Sequence, residues 1–244
     1  MRRMVKMAKQ SSVTSISIGV GLATGLYGIS FGALSVAAGL DIWQTQVLSL
    51  LMFSGGSQFA FVGVIAAAGG AGVGSAGVGA AIISAWLLGI RNGFYAVRLA
   101  PILNRVGLGK LIPAMLTIDE STAVSTSQDE HKNQVRGFWI TGLAVFFFWN
   151  LMTLAGAILG DALGDPSVWG LDAAAAAAFL GLLWPRLKER QAVAVGASAL
   201  VIATAATPFL SAGVPVLLAG VAAVVVGAFN LFAGRSKSPT GGEA

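Results

Sequence analysis

Cysteine is absent from the 244 residues, histidine occurs once, and charged residues make up only 10 %. The missing cysteines exclude a disulfide framework, a thiolate metal site and a cysteine nucleophile. The single histidine, His131, lies in the polar loop 128–136. A metal centre needs several such ligands, so no metal set is expected. The enzyme signatures HExxH and the phosphate-binding P-loop are also missing. The glycine-rich run 69–79 lacks the Lys-Ser/Thr of a phosphate loop and reads as a turn. No enzyme activity and no cofactor are expected. Soluble domains carry roughly a quarter charged residues, so this chain has too little charge to cover a globular surface.

Apolar sequence fills the space that charge leaves. Hydrophobic residues make up 56 % and the mean hydropathy is +0.81. No charge occurs in 10–40, 42–90, 137–160 or 191–234. A bilayer core about 30 Å thick takes roughly 20 apolar residues per helix. The four runs have room for one, two, one and two crossings. Lipid offers no partner to an open backbone, so the fold class is all-α: a polytopic integral membrane helical bundle.

The net charge of +5 could suggest nucleic acid as a partner. Its distribution argues otherwise. Arg2, Arg3, Lys6 and Lys9, then Arg186, Lys188 and Arg190, then Arg235 and Lys237 sit at the edges of apolar runs. That is the positive-inside pattern, and the partner it names is the lipid bilayer. The first run is too long for a cleaved signal peptide and flows into further spans. The expected organisation is a cytoplasmic basic tail, 1–15, one transmembrane domain, 16–234, and a polar tail, 235–244.

Along the chain, the first span reads Ile16–Leu40, with Gly21, Gly25, Gly28 and Gly32 on one helical face. Such a face lets a second helix approach closely. The second span, Val47–Ala68, contains Phe53-Ser-Gly-Gly-Ser-Gln-Phe59. Adjacent glycines are poor helix interior, each costing up to about 1 kcal/mol relative to alanine. A broken helix is expected there, and at membrane depth it must be buried or line a cavity. The third span, Ala80–Leu103, places Arg91, Tyr95 and Arg98 on one face before Pro101 disturbs it. The stretch 111–127 is short and acidic. Topology requires 80–127 to leave and return, either as two crossings or as a re-entrant unit. Two crossings are expected, because Ala80–Leu103 is long enough, although they place Arg105 and Lys110 outside. Further spans start near Phe138, Leu171, Gln191 and Val214, which makes seven or eight. Eight put both ends in the cytoplasm. The loop 161–172, with Asp161, Asp165 and Asp172, then faces outward.

Ionisable and polar groups at membrane depth are the candidate functional residues. Gly55, Gly56, Ser57 and Gln58 form one set, and Arg91, Asn92 and Tyr95 a second. Asp119, Glu120 and Arg98 form a third, as coupling groups or ion-pair members. An amino-acid carboxylate suits a broken-helix amino end near Gly55–Gly56, with Arg91 adding charge. Arg91 cannot lose its proton, so proton coupling would fall to Asp119 or Glu120. The plainer reading is a structural pair between Arg91 and one of these acids.

Three motifs in order carry a resemblance. Phe53-Ser-Gly-Gly-Ser-Gln-Phe59, Leu88-Gly-Ile-Arg-Asn-Gly-Phe-Tyr95 and Thr117-Ile-Asp-Glu-Ser121 resemble the AzlC-type permeases. Tyr27-Gly-Ile-Ser-Phe-Gly32 and Phe179–Pro185 look similar too. Asn92 departs from the family, where histidine is frequent. The resemblance implies a large subunit of a branched-chain amino acid exporter in the cytoplasmic membrane. It also implies leucine, isoleucine and valine as substrates and a small AzlD-type membrane subunit as partner. The alternative is a non-transporting membrane scaffold or assembly subunit, whose glycine faces would only dock.

Overall fold

The structure, a computed structural model, describes residues 2–70, 75–163, 180, 184, 187–188, 190–210 and 214–229. Among them every element is helical. In chain order these are α1 (Arg2–Ala37), α2 (Ile42–Leu51), α3 (Gly55–Ala67) and α4 (Ser75–Leu103). A short 3-10 turn, Gly107–Lys110, leads into α5 (Leu111–Met115), α6 (Asp119–Thr126) and α7 (His131–Leu163). Then come α8 (Arg190–Ala206) and α9 (Val214–Ala228). Stretches of α1, α4 and α7 are long and apolar enough to cross a membrane: Val13–Ala37, Gly77–Leu103 and His131–Leu163. Large apolar side chains cover the outside, among them Trp43, Phe94, Val97 and Phe147. Such a surface belongs in lipid, and the chain is a membrane-integral helical protein.

The spine is the α1–α7 pair, and its glycines decide how close the two helices come. A methyl group added at Gly21 would stand 2.5 Å from Ala144 Cβ, and one at Gly28 would stand 2.6 Å from the Trp149 carbonyl oxygen. Methyls at Gly25 and Gly32 would overlap Phe148 and Thr153. Gly156 of α7 answers with the same closeness to Ile29. The glycine face expected in the first span is thus packing surface. The helix itself starts at Arg2 rather than Ile16, because helical backbone continues past the end of the apolar run.

Two of the remaining segments are interrupted. The second span is split by Met52, Phe53 and Ser54, and α3 begins at Gly55. The glycine pair therefore opens a new helix instead of lying inside one. Asp41 caps α2 at its start: its side chain accepts from the Gln44 N–H at 2.7 Å, and Gln44 Oε1 accepts in return from the Asp41 N–H at 3.0 Å. The stretch 111–127 is split as well, by Leu116, Thr117 and Ile118. Helix α6 is about 12 Å long at 1.5 Å per residue, less than half a bilayer core. The stretch expected to make a return crossing, 111–127, is thus two short pieces.

Other expectations differ in detail. Pro101 lies inside α4, and the helix ends two residues later at Leu103, before Asn104, whose φ of 44° is a left-handed stop. The turn after α3 is shorter than 69–79, since α4 begins at Ser75. The expected break at Thr207-Pro208 follows α8 directly. The span near Leu171, most of the loop 161–172 and the tail 235–244 lie outside the described residues.

The glycine spine generates a prediction. Gly32→Ala should lower the melting temperature of detergent-purified protein by several degrees, since overpacking costs about 1–3 kcal/mol. Gly19→Ala should leave it unchanged or raise it, because nothing lies within 4 Å of the added methyl. Equal melting of the two variants would contradict the packing role of the face.

Candidate functional site

Both interruptions bring polar backbone into the protein interior, and each is stitched by one side chain from the helix that follows. At the first, Gln58 is fully buried and its Nε2 donates to the carbonyls of Ser49 at 3.2 Å and Met52 at 2.8 Å. It satisfies acceptors freed at the carboxyl end of α2. At the second, the buried Ser121 hydroxyl donates to the Leu116 carbonyl at 2.6 Å and accepts from the Ile118 N–H at 3.1 Å. Thr117 donates to the Pro113 carbonyl at 2.8 Å.

No side chain caps the amino end of α3. Its first intrahelical bond runs from the Gln58 N–H to the Ser54 carbonyl. The N–H groups of Gly55, Gly56 and Ser57 precede that bond, in the positive end of the helix dipole. Ser54 and Ser57 are buried here, and neither hydroxyl has a hydrogen-bond partner. Below Gly55 lies the Trp149 ring, 3.1 Å from where a methyl would be. Trp149 stacks on Phe31 at 6.1 Å and meets Phe59 edge-on at 6.2 Å, so α1, α3 and α7 share one aromatic floor.

Arg91 of α4 joins the two interruptions. Its Nη2 would stand 2.8 Å from a methyl added at Gly56, in the first turn of α3. Its Nη1 lies 3.0 Å from Asp119 Oδ2, at the first residue of α6. Each side chain of this pair is about a third exposed. Glu120 follows, half-buried, beside Thr24 of α1. The pairing of Arg91 with Asp119 was one of the alternatives open in the sequence. Thr24 was not among its candidates, and no motif marks it.

A cavity of about 1270 Å³ opens on the other side of the same turn. Ser54, Ser57 and Asn92 line it, beside Leu48, Met52, Phe53, Phe61, Ile65 and Trp86. Mostly apolar walls with a few polar groups at one end are what a small amphipathic ligand needs. Of the sequence candidates, Ser57 and Asn92 line this cavity, while Gly55, Gly56 and Arg91 do not line it and meet at the first turn of α3. Gln58 lies behind, in the break. Tyr95 is half-buried one helical turn beyond Arg91, and Arg98 is exposed two turns away. Trp149 was not in the candidate set.

These features define a class: a helical membrane protein whose interrupted helices converge on a buried-edge ion pair beside an apolar cavity. A family model described as AzlC protein matches residues 19–163, more than half of the chain. The chain belongs to the AzlC protein family. The matched region holds most of α1, both interruptions, Arg91, Asp119 and all of α7. No curated protein and no solved structure matches the chain.

The Arg91–Asp119 pair can be tested without any ligand. Arg91→Ala and Asp119→Ala should each destabilise the protein, and the double variant should lose less than the sum. Exposed pairs couple by less than about 1 kcal/mol, and buried ones cost about 3–5 kcal/mol when broken. A half-exposed pair should fall between, at about 1–2 kcal/mol in a double-mutant cycle of detergent unfolding. Strict additivity would remove the pair from the account.

Proposed function

We propose that this chain is a secondary transporter that exports leucine, isoleucine and valine across the cytoplasmic membrane. The observation that carries the reading is the uncapped amino end of α3, with its two buried, unpartnered serines, opening into an apolar cavity. An amino acid of this class presents a carboxylate, an ammonium and an aliphatic side chain. The carboxylate takes the N–H groups of Gly55, Gly56 and Ser57 and the Ser54 and Ser57 hydroxyls, with Arg91 beside them. The ammonium takes Asp119 or Glu120. The aliphatic part fills the space between Leu48, Phe61 and Trp86. Membership of the AzlC family supports amino-acid transport as the role.

On this reading the Arg91–Asp119 pair opens and closes during the cycle, since arriving charges compete for both partners. Proton coupling, if it drives flux, belongs to Asp119 or Glu120. A small AzlD-type subunit completes the assembly. The chain crosses the bilayer seven or eight times, with its amino end in the cytoplasm, as the basic residues at 2–9 favour. A pure scaffold has no use for an ion pair and open serines at a cavity edge, which favours the transporter.

Cells loaded with labelled leucine or valine should lose the label faster when this chain and its small subunit are expressed. Ser57→Ala should raise the KM for efflux by about tenfold at unchanged abundance, the effect of removing one hydrogen bond to a charged group. Identical efflux with and without the chain would reject the transport reading.

A further inference from the structure

A second polar cluster lies away from Arg91, on the face of α2 that packs against α7. Thr45 and Ser49 stand one turn apart on α2, and both are fully buried. Across from them are Asn150 and Thr153 of α7, also buried. Gln46 Nε2 reaches the Asn150 carbonyl at 3.5 Å, and Ser49 Oγ lies 3.4 Å from Thr153 Oγ1. Thr45 Oγ1, Gln46 Oε1 and Asn150 Oδ1 have no hydrogen-bond partner. Glycine closes the third side: a methyl on Gly28 of α1 would stand 3.2 Å from Thr153 Oγ1.

Buried oxygens without donors are costly in a dry interior. The hydroxyl pair sharpens the question. A hydroxyl–hydroxyl bond prefers about 2.7–2.8 Å, so 3.4 Å is long for one. Two oxygens that bind one cation at about 2.4 Å and meet at a right angle stand about 3.4 Å apart. Ser49 lies in the last turn of α2, at the carboxyl end of a broken helix where the dipole favours positive charge and membrane proteins place sodium, and Thr45 and Gln46 lie one turn earlier. None of the five side chains is acidic. A divalent ion would want carboxylates, whereas a singly charged one is served by neutral oxygens.

We infer that Thr45, Gln46, Ser49, Asn150 and Thr153 form a binding site for a monovalent cation of sodium size. The site stands apart from the Arg91–Asp119 pair and does not depend on which substrate the chain carries. If transport is confirmed, it supplies a coupling ion other than the proton.

The test uses purified full-length protein at constant ionic strength in sodium, potassium or choline chloride. Sodium should raise the melting temperature by several degrees, saturably, and potassium and choline should not. Thr45→Val and Thr153→Val keep side-chain shape and should lose the sodium increment. Equal melting of the unsubstituted protein in all three salts overturns the site, as does an increment kept by both variants. Should the variants fail to fold, sodium titration of the unsubstituted protein by tryptophan fluorescence decides, since Trp149 adjoins Asn150. A saturable sodium response absent with potassium supports the site, and a flat or salt-independent one overturns it. Leucine efflux plays no part in either readout, so loss of the transport reading leaves this result intact.

Discussion

A guanidinium held between the amino ends of two interrupted helices is the constraint around which the membrane domain is arranged. Arg91 lies against the first turn of α3 and pairs with the first residue of α6. Both helix ends carry partial positive charge, so they do not welcome a cation. Asp119 offsets the arginine, and it sits where an acid is favoured by the dipole of its own helix. Glu120 adds a second acid in the same turn. The first turn of α3 has no acid of its own. On the proposed reading, a ligand's carboxylate is the anion that this turn lacks.

Interrupted helices need a rigid frame and internal partners, because lipid supplies neither. The α1–α7 spine is the frame, drawn close by glycines on both sides. The partners are Gln58 and Ser121, each reaching back across a break to the piece before it. With these bonds made, the Ser54 and Ser57 hydroxyls and Gln58 Oε1 are left without a partner at the α3 turn, and the two serines line the cavity. The α1–α7 pair thus forms the frame, while α3, α4 and α6 bring Ser57, Arg91 and Asp119 to the turn.

Much of this arrangement was written in residue types. The lack of charge over long runs defined a helical membrane protein, and the glycine spacing of the first span defined a packing face. Gly55-Gly56 announced a break, because two glycines weaken a helix wherever they fall. The intramembrane Arg91 announced a partner, and the nearby acids were the only candidates of opposite sign between 42 and 128. What periodicity did not reveal was the second break, since Thr117 and Ile118 are ordinary residues and only the Ser121 stitch makes the split stable. Nor did it reveal which helix faces meet. Thr24, Trp149 and the hydroxyl seam of Thr45, Ser49 and Thr153 depend on how α1, α2 and α7 cross. Arg98 shares a helical face with Arg91, yet the helix carries it two turns away to an exposed position.

The central claim is that the uncapped turn at Gly55, Gly56 and Ser57, with Arg91 beside it, receives a carboxylate. Leucine and leucinamide share an ammonium and a side chain and differ in that one group. Equilibrium binding of the two to purified protein isolates it. The account predicts measurable leucine binding and leucinamide affinity weaker by at least about tenfold, the value of a charge-assisted hydrogen bond. Equal or tighter binding of leucinamide would contradict it.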